Sequence, residues 1–394
     1  IVRRPWTLER LLTEPCGVSM TCNASKVKAY RYHASFPAGD GRMRFLGCFA
    51  TADAAKNAWD SEARHLGWNV VNEPQNGEAS IQSVIQGRFA ELRSSGFPYP
   101  PSTLKWRRKE LEVVLAEDLW AKWESDDVLQ LGDHERAPGV QLCWSFHPHS
   151  FGISKTKTMC DNGRLELKPS PLDTFNSDIG LLKCLRTSIE RHGDLNGSPS
   201  TIRGECKYHD TSAFMKGGGS WITNFQPLVA AAIYARYGGS GGTVYDSSAG
   251  WGGRLLGARL AGVRKYIACE PCEATIGGLG ELSRLVSGPM AVELHQCGSE
   301  DFQANETVDL AFTSPPYFNT EHYSNESTQS FKRFPLAKQW CTGFLRPTIA
   351  HTWRAIKPGG YMVISIAGRR MHRRAGLDME AEVKLAAKQV GAEL

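Results

Sequence analysis

The chain has 394 residues, enough for two or three domains and a sizeable core, and a formal net charge of +5. That mild basic excess permits a nucleic-acid partner wherever it is clustered. Eleven cysteines without compact framework spacing exclude a disulfide-stapled secreted fold, and neither a signal peptide nor a membrane-length apolar run is present, which predicts a soluble, intracellular setting. No internal repeat or low-complexity segment interrupts the chain.

Residues 1–16 mix Arg3, Arg4 and Trp6 with a Leu8/Leu11/Leu12 face and read as a short helix or arm. Over 17–74 the pattern predicts a strand at 26–36, a second at 42–49 and an amphipathic helix at 51–66 with Thr51 as N-cap. Ala54, Ala55, Ala58, Trp59 and Ala63 give that helix a small-residue face for close packing on a sheet. The stretch from Gly17-Val18 through Tyr30-Arg31-Tyr32-His33-Ala34, Phe45-Leu46-Gly47-Cys48-Phe49 and Ala58-Trp59-Asp60 to Asn72 resembles the ethylene-response-factor type of DNA-binding domain. The resemblance implies a small α+β domain whose three-stranded sheet lies in the major groove. Lys26, Lys28, Tyr30, Tyr32, Arg42 and Arg44 are its candidate DNA contacts, even-numbered and so on common strand faces; the same set also reads as a solvated basic face.

Residues 75–198 form a helical and irregular middle region, a candidate for target recognition. Helices are predicted at 81–93, about 102–123 and 178–192. Lys105-Trp106-Arg107-Arg108-Lys109 either grips phosphate or is a solvated helix face. Cys143, His147, His149 and Cys160 match no common zinc spacing, so a buried cysteine with structural histidines is expected and no metal.

From 199 onward the chain becomes regular. Asn224-Phe225-Gln226-Pro227 precedes a helix at 228–237, and an apolar strand at 243–246 runs into Asp246-Ser247-Ser248-Ala249-Gly250-Trp251-Gly252-Gly253-Arg254, which opens another helix. Glycines between a strand end and a helix start let backbone approach a nucleotide-like ligand, and the helix N-terminus adds positive potential. A second strand at 266–269 ends in Glu270, placed to accept ribose hydroxyls, and a third at 291–295 leads to Glu300 and Asp301, acids that can receive an adenine amino group. No Walker lysine follows the glycines, against a phosphate-binding loop. Cys269 and Cys272 make a Cys-x-x-Cys without a second pair, so neither zinc nor redox use is expected of it.

The fourth strand, 308–312, delivers Thr313-Ser314-Pro315-Pro316-Tyr317-Phe318. Two prolines stiffen the turn past the strand end, where α/β enzymes place their chemistry. The Ser314 hydroxyl and Pro315 carbonyl can accept the two hydrogens of an exocyclic amine while Tyr317 stacks on its ring. Ser314-Pro315-Pro316-Tyr317 resembles the motif of DNA amino-methyltransferases, and the chain from Pro199 to Gly368 resembles phage-type DNA-modification methylases of that group. The resemblance implies a class I S-adenosylmethionine methyltransferase domain over 199–394, Rossmann-like with a mostly parallel sheet. Ser314, Pro315, Pro316 and Tyr317 would form its catalytic turn. S-adenosylmethionine would be held by Phe225, Pro227, Asp246, Ser248, Gly250, Gly252, Glu270, Glu300 and Asp301, with double-stranded DNA as partner. Serine at the first motif position points to cytosine N4 as the methylated atom of a flipped base, with adenine N6 as the alternative.

The polar stretch 319–333 reads as a mobile loop over the base or as a surface connection. A helix is expected at 340–356, a Lys357-Pro358-Gly359-Gly360 turn, a fifth strand at 361–367 and a helix at 379–390. Arg369, Arg370, Arg373 and Arg374 form a basic cluster past that strand, read as DNA phosphate contacts or as a solvated face. The closing strand pair usual in the resembled family is not found after residue 390, leaving the sheet edge to an earlier segment or to further chain. An RNA exocyclic-amine methyltransferase and a catalytically silent DNA-binding protein are the other functions that these features admit.

Overall fold

The computed structural model describes residues 2–3, 18–22, 31–37, 43–49, 52–65, 81–116, 137–159, 165–192, 199–208, 223–366 and 377–393. They belong to two compact units, one of residues 1–99 and 169–220, the other of 100–168 and 221–394. The middle region of the sequence is therefore shared between the units.

The first unit holds an antiparallel sheet of β1 (Val2–Arg3), β2 (Val18–Cys22), β3 (Arg31–Pro37) and β4 (Met43–Phe49), in that order. Three strands were expected. The fourth comes from the segment read as a helix or arm, where Val2 and Arg3 pair with Cys22 and Thr21 and so satisfy part of an open strand edge. The strand expected from residue 26 is described from Arg31; Lys26, Lys28, Tyr30 and Arg42 lie outside the described residues, as does Thr51. A register shift between Ala34 and Ser35 sets position 44 opposite position 36, while position 32 opposes 49. By this register positions 32 and 44 fall on one face of the sheet. Helix Ala52–His65 packs on β3 and β4 through Ala55 and Trp59, one turn apart and both buried. Helices Ile81–Ser95, Pro171–Asn176, Asp178–His192 and Pro199–Tyr208 also belong to the unit. Ser170 starts the second of these with a capping box closed by Asp173.

In the second unit, β5 (Ser154–Met159) and β6 (Leu165–Leu167) belong to a small antiparallel sheet. The central sheet contains β7 (Thr243–Asp246), β8 (Lys265–Cys269), β9 (Ala291–His295) and β10 (Val308–Thr313). Two further strands are β11 (Glu321–His322), which joins the small sheet beside β5, and β12 (Ile356–Ile364), which joins the central one. The central order is β12-β10-β7-β8-β9, every pair parallel. This is a doubly wound, Rossmann-like α/β fold, with its topological switch point between β7 and β10.

All four residues of β7 are buried, as befits a parallel strand covered on both faces. Alternate side chains divide between two cores: Val244, Tyr266, Ala268, Leu310 and Phe312 on one face, Tyr245, Ile267, Cys269 and Ala311 on the other. Helices Leu104–Leu115 and Val140–Ser145 carry Val114, Leu142 and Cys143 into the first core, which explains why this part of the middle region folds with the α/β unit.

Two expectations need correction. The helix expected at 340–356 begins earlier, at Ala337, and includes a π-helical stretch at Cys341–Leu345 before continuing as Arg346–Ala355. The Lys357-Pro358-Gly359-Gly360 turn lies inside β12: Val308 pairs with Ile356 but Leu310 with Tyr361, so the surplus residues bulge out, with Gly359 at φ 79°. No described helix is long and apolar enough to cross a membrane.

Candidate active site

Four loops leave the carboxyl ends of β10, β7, β8 and β9, which are successive neighbours in the sheet. Chain topology therefore brings Ser314, Ser248, Glu270 and Glu300 to one edge although they are spread over 67 residues of sequence (from 248 to 314).

The loop after β7 is held from beneath. Asp246 is fully buried; its Oδ2 accepts from Arg254 Nε and from the Tyr266 hydroxyl, both at 2.7 Å, and its Oδ1 accepts from the Ser248 amide at 3.1 Å. Arg254 also donates to the Ser248 carbonyl, so one ion pair clamps both ends of the turn. Burial alone would pull the guanidinium down, but Asp246 more than offsets this and holds it above its ordinary value. Asp246 thus shapes the loop and offers no carboxylate oxygen to solvent. Gly252 takes φ 81°, and a Cβ on Gly253 would overlap the Phe225 carbonyl, so the helix Gly253–Leu260 can start only with glycines here. Pro227 is buried at the first turn of helix Pro227–Arg236, and the Phe225 ring meets Phe312 edge-on at 5.3 Å.

Glu270 spans two loops. Its Oε2 accepts from the Gly250 amide at 3.1 Å and its Oε1 from the Cys272 amide at 3.0 Å. Burial pushes its carboxyl up to about 7, against the opposing pull of those two amides. Between its ordinary 4.5 and about 7 the folded chain keeps a proton that the unfolded chain has released, so stability falls as pH rises through that window and is level above it. Glu270→Gln is expected to remove this slope, read as unfolding midpoint against pH.

Glu300 is buried and raised by that burial, with Oε1 paired to Arg333 and Oε2 without a partner. Asp301 also pairs with Arg333, at 2.6 Å. Sequence reasoning missed Arg333, which closes a polar stretch beside Lys332 with no local pattern to mark its role. That stretch is a tied segment lying across the ends of β8 and β9. Its Glu326 carboxylate accepts from the Glu273 amide at 3.2 Å, at the start of helix Glu273–Val286, and Glu321 pairs with Lys155 at 2.9 Å.

The Ser-Pro-Pro-Tyr turn follows β10 directly, and the Thr313 carbonyl accepts from the Ser365 amide at 2.9 Å. Pro315 is buried, whereas Ser314, Pro316 and Tyr317 are partly exposed. Phe318 takes φ 49°, unusual for a non-glycine residue and costing on the order of 1–2 kcal/mol. Burial of its ring beside Trp340, with centroids 5.8 Å apart, offsets that strain and fixes the direction in which the chain leaves the turn. Trp251 of the glycine loop packs against Trp144 at 5.2 Å and Tyr323 at 5.8 Å, adding an aromatic wall.

Other candidates make structural contacts. Arg107 stacks on Phe146 at 3.7 Å and donates to Ser145 Oγ at 3.1 Å, so it is neither a free phosphate ligand nor a solvated side chain. His147 Nδ1 meets the Cys143 carbonyl at 2.8 Å, with burial pulling the imidazole down to about 4, and His149 bonds Thr275 at 3.0 Å. Among the described residues no group of three or more His, Cys, Asp or Glu side chains is placed to hold a metal ion. Cys160, Arg369, Arg370, Arg373 and Arg374 lie outside the described residues.

No family model and no curated protein sequence matches the chain. Among solved structures it is similar to magnesium protoporphyrin IX methyltransferase of Synechocystis with bound S-adenosylmethionine, at 13% identity over 41% of this chain and 65% of that one, TM-score 0.30. It is also similar to a TehB-like S-adenosylmethionine-dependent methyltransferase of Corynebacterium glutamicum, at 16% identity over 43% and 73% of the two chains, TM-score 0.28. A glycopeptide N-methyltransferase complexed with S-adenosylmethionine follows at 15% identity over 37% and 51%, TM-score 0.26. The chain spans less than two thirds of the first of these. The α/β Rossmann-like fold rests on the strand order of the central sheet, and nothing about substrate follows from these likenesses.

Proposed function

We propose that the chain is an S-adenosylmethionine-dependent DNA methyltransferase acting on the exocyclic amine of a flipped base, cytosine N4 in preference to adenine N6. The observation that carries this reading is the position of Ser314-Pro315-Pro316-Tyr317. The turn leaves β10 next to the glycine loop of β7, with the carboxylates of Glu270 and Glu300 on the following two loops. Glu300 Oε2 is buried without a hydrogen-bond partner, which suits a ligand carrying an amine.

Glu270 would hold the ribose through its remaining lone pairs, Glu300 or Asp301 the adenine amine, and the loop of Ser248, Gly250 and Gly252, with Phe225 and Pro227, the methionine portion. The cofactor supplies an electrophilic methyl group. Ser314 Oγ and the Pro315 carbonyl accept the two amine hydrogens, drawing the nitrogen lone pair out of the ring and aiming it along the line of attack. Tyr317 stacks on the base and fixes its plane. Catalysis on this reading is positioning and electrostatics, with no cysteine nucleophile.

Double-stranded DNA as partner is supported by the basic and aromatic residues at Lys26, Lys28, Tyr30, Tyr32, Arg42 and Arg44, and by Arg369, Arg370, Arg373 and Arg374. Nucleoside mass spectrometry of duplex DNA incubated with protein and cofactor tests the proposal. N4-methylcytosine is the expected product. N6-methyladenine alone would overturn the choice of base, and no methylated base in DNA with methylation of RNA would overturn the choice of substrate.

A further inference from the structure

Cys269 and Cys272 are close in the chain, but the tertiary structure gives each a different neighbour. Cys272 Sγ points to the Glu326 carboxylate at 3.4 Å, whereas Cys269 Sγ lies 3.9 Å from Cys297 Sγ. Strands β8 and β9 run parallel with Cys269 opposite His295, and Cys297 stands two residues further on, in the turn. The two thiols differ in their surroundings. Cys269 is buried, with the Tyr245 hydroxyl 3.5 Å from its sulfur, and Cys297 is partly exposed. The contact between the two sulfurs holds the Cys297 thiol below its ordinary value, and the same contact together with burial raises Cys269. An accessible sulfur with thiolate character beside a buried thiol that keeps its proton is the arrangement of an attacking and a resolving cysteine. Cys184 and Cys206 also interact but are both buried, so an oxidant in solution has no comparable access to them.

We propose that Cys269 and Cys297 form a reversible disulfide under hydroperoxide, a modification site that ties the turn after β9 to the end of β8. The Cys297 thiolate attacks one peroxide oxygen, the O–O bond breaks, and hydroxide leaves and takes a proton from solvent. The Cys269 sulfur then attacks the sulfur of the resulting sulfenic acid, the S–O bond breaks, and water leaves with the Cys269 proton. Peroxide gains the two electrons that the two thiols lose. Closing 3.9 Å to a bond of about 2.05 Å moves the Cys297 turn toward β8. Glu270 follows Cys269 in the chain, and Glu300 lies three residues beyond Cys297, so oxidation reshapes both carboxylate sites. The consequence that cofactor binding weakens on oxidation rests on the function proposed above.

The test is a non-reducing peptide map of the full chain after brief treatment with hydrogen peroxide and alkylation of the remaining thiols. The expected result is a peptide pair joined through Cys269 and Cys297, released by dithiothreitol and absent from Cys297→Ser. In Cys269→Ser, the sulfenic acid on Cys297 is expected to accumulate and to be trapped by dimedone. Wild-type protein in which Cys297 is still alkylated after peroxide, or in which Cys269 is joined to Cys272, would overturn the proposal. The map reads sulfur connectivity without methyl transfer, so its failure leaves the proposed activity standing, and an inactive protein leaves the disulfide testable.

Discussion

On the function proposed above, replacing Ser314 by alanine is expected to lower the rate of methyl transfer to DNA about 100-fold while leaving S-adenosylmethionine affinity within about 2-fold. The magnitude is that of losing one preorganised hydrogen-bond partner of the reacting group. The split arises because Ser314 follows β10, whereas the residues proposed to hold the cofactor flank β7 or follow β8 and β9. Single-turnover rates with labelled cofactor give the first quantity and calorimetry the second. A Ser314→Ala protein with the wild-type rate would remove the hydroxyl from the mechanism, and a parallel loss of cofactor affinity would place it in the wrong subsite. Ser314→Asn, which restores an acceptor oxygen, is expected to recover part of the rate.

Arg254→Met is expected to destabilise the α/β unit by about 3–5 kcal/mol, the cost of leaving one charge of a buried pair without its partner. In this chain the stranded group is Asp246, fully buried and holding Arg254 at 2.7 Å. For a unit of this size that corresponds to a fall of roughly 10 °C in melting temperature, measurable by calorimetry. Arg254→Lys keeps the charge but not the forked contact with both Asp246 and the Ser248 carbonyl, and an intermediate loss is expected. An unchanged melting temperature in Arg254→Met would mean that the turn after β7 does not depend on the clamp. Because the pair sets the loop that carries Ser248, Gly250 and Gly252, cofactor affinity is expected to fall with stability in this variant, in contrast to Ser314→Ala.

The two variants separate groups that look alike in the sequence, since Asp246 ends one buried strand and Ser314 directly follows another. Asp246 has its carboxylate occupied by Arg254, Tyr266 and the Ser248 amide, whereas Ser314 is partly exposed at the turn. A strand-terminal polar residue announces itself by its position, but whether it supports the loop or faces a ligand depends on which distant side chains reach it. Arg254 comes from the following helix and Tyr266 from the next strand. Their convergence on one carboxylate has no sequence signature.

Much of the α/β unit was legible in advance. The strands at Thr243–Asp246, Ala291–His295 and Val308–Thr313 fall within a residue of their expected bounds; the first and last are largely buried parallel strands, which show as short apolar runs bounded by glycine or polar turns. The helix Met379–Gln389 was equally plain from its periodicity. Less legible were features that depend on pairing partners. The bulge inside β12 is set by its register against β10, so its Lys-Pro-Gly-Gly reads locally as a turn. Val2–Arg3 is a strand only because β2 offers it an edge. The aromatic, turn-rich stretch after residue 138 supplies Leu142 and Cys143 to the main core, a role that its irregular pattern did not reveal.

The sequence by itself determined the order of the cofactor-type loop, the two acidic turns and the Ser-Pro-Pro-Tyr turn, because each is a local arrangement of strand end, breaker and side chain. Only the tertiary structure decided what those residues touch. It places Asp246 beneath its loop, binds Arg333 across Glu300 and Asp301, and sets Cys269 against Cys297 in preference to Cys272. The physical reason is that backbone conformation responds to neighbours a few residues away. A buried charge or thiol instead finds its partner through strand order and register, which bring together residues far apart in the chain.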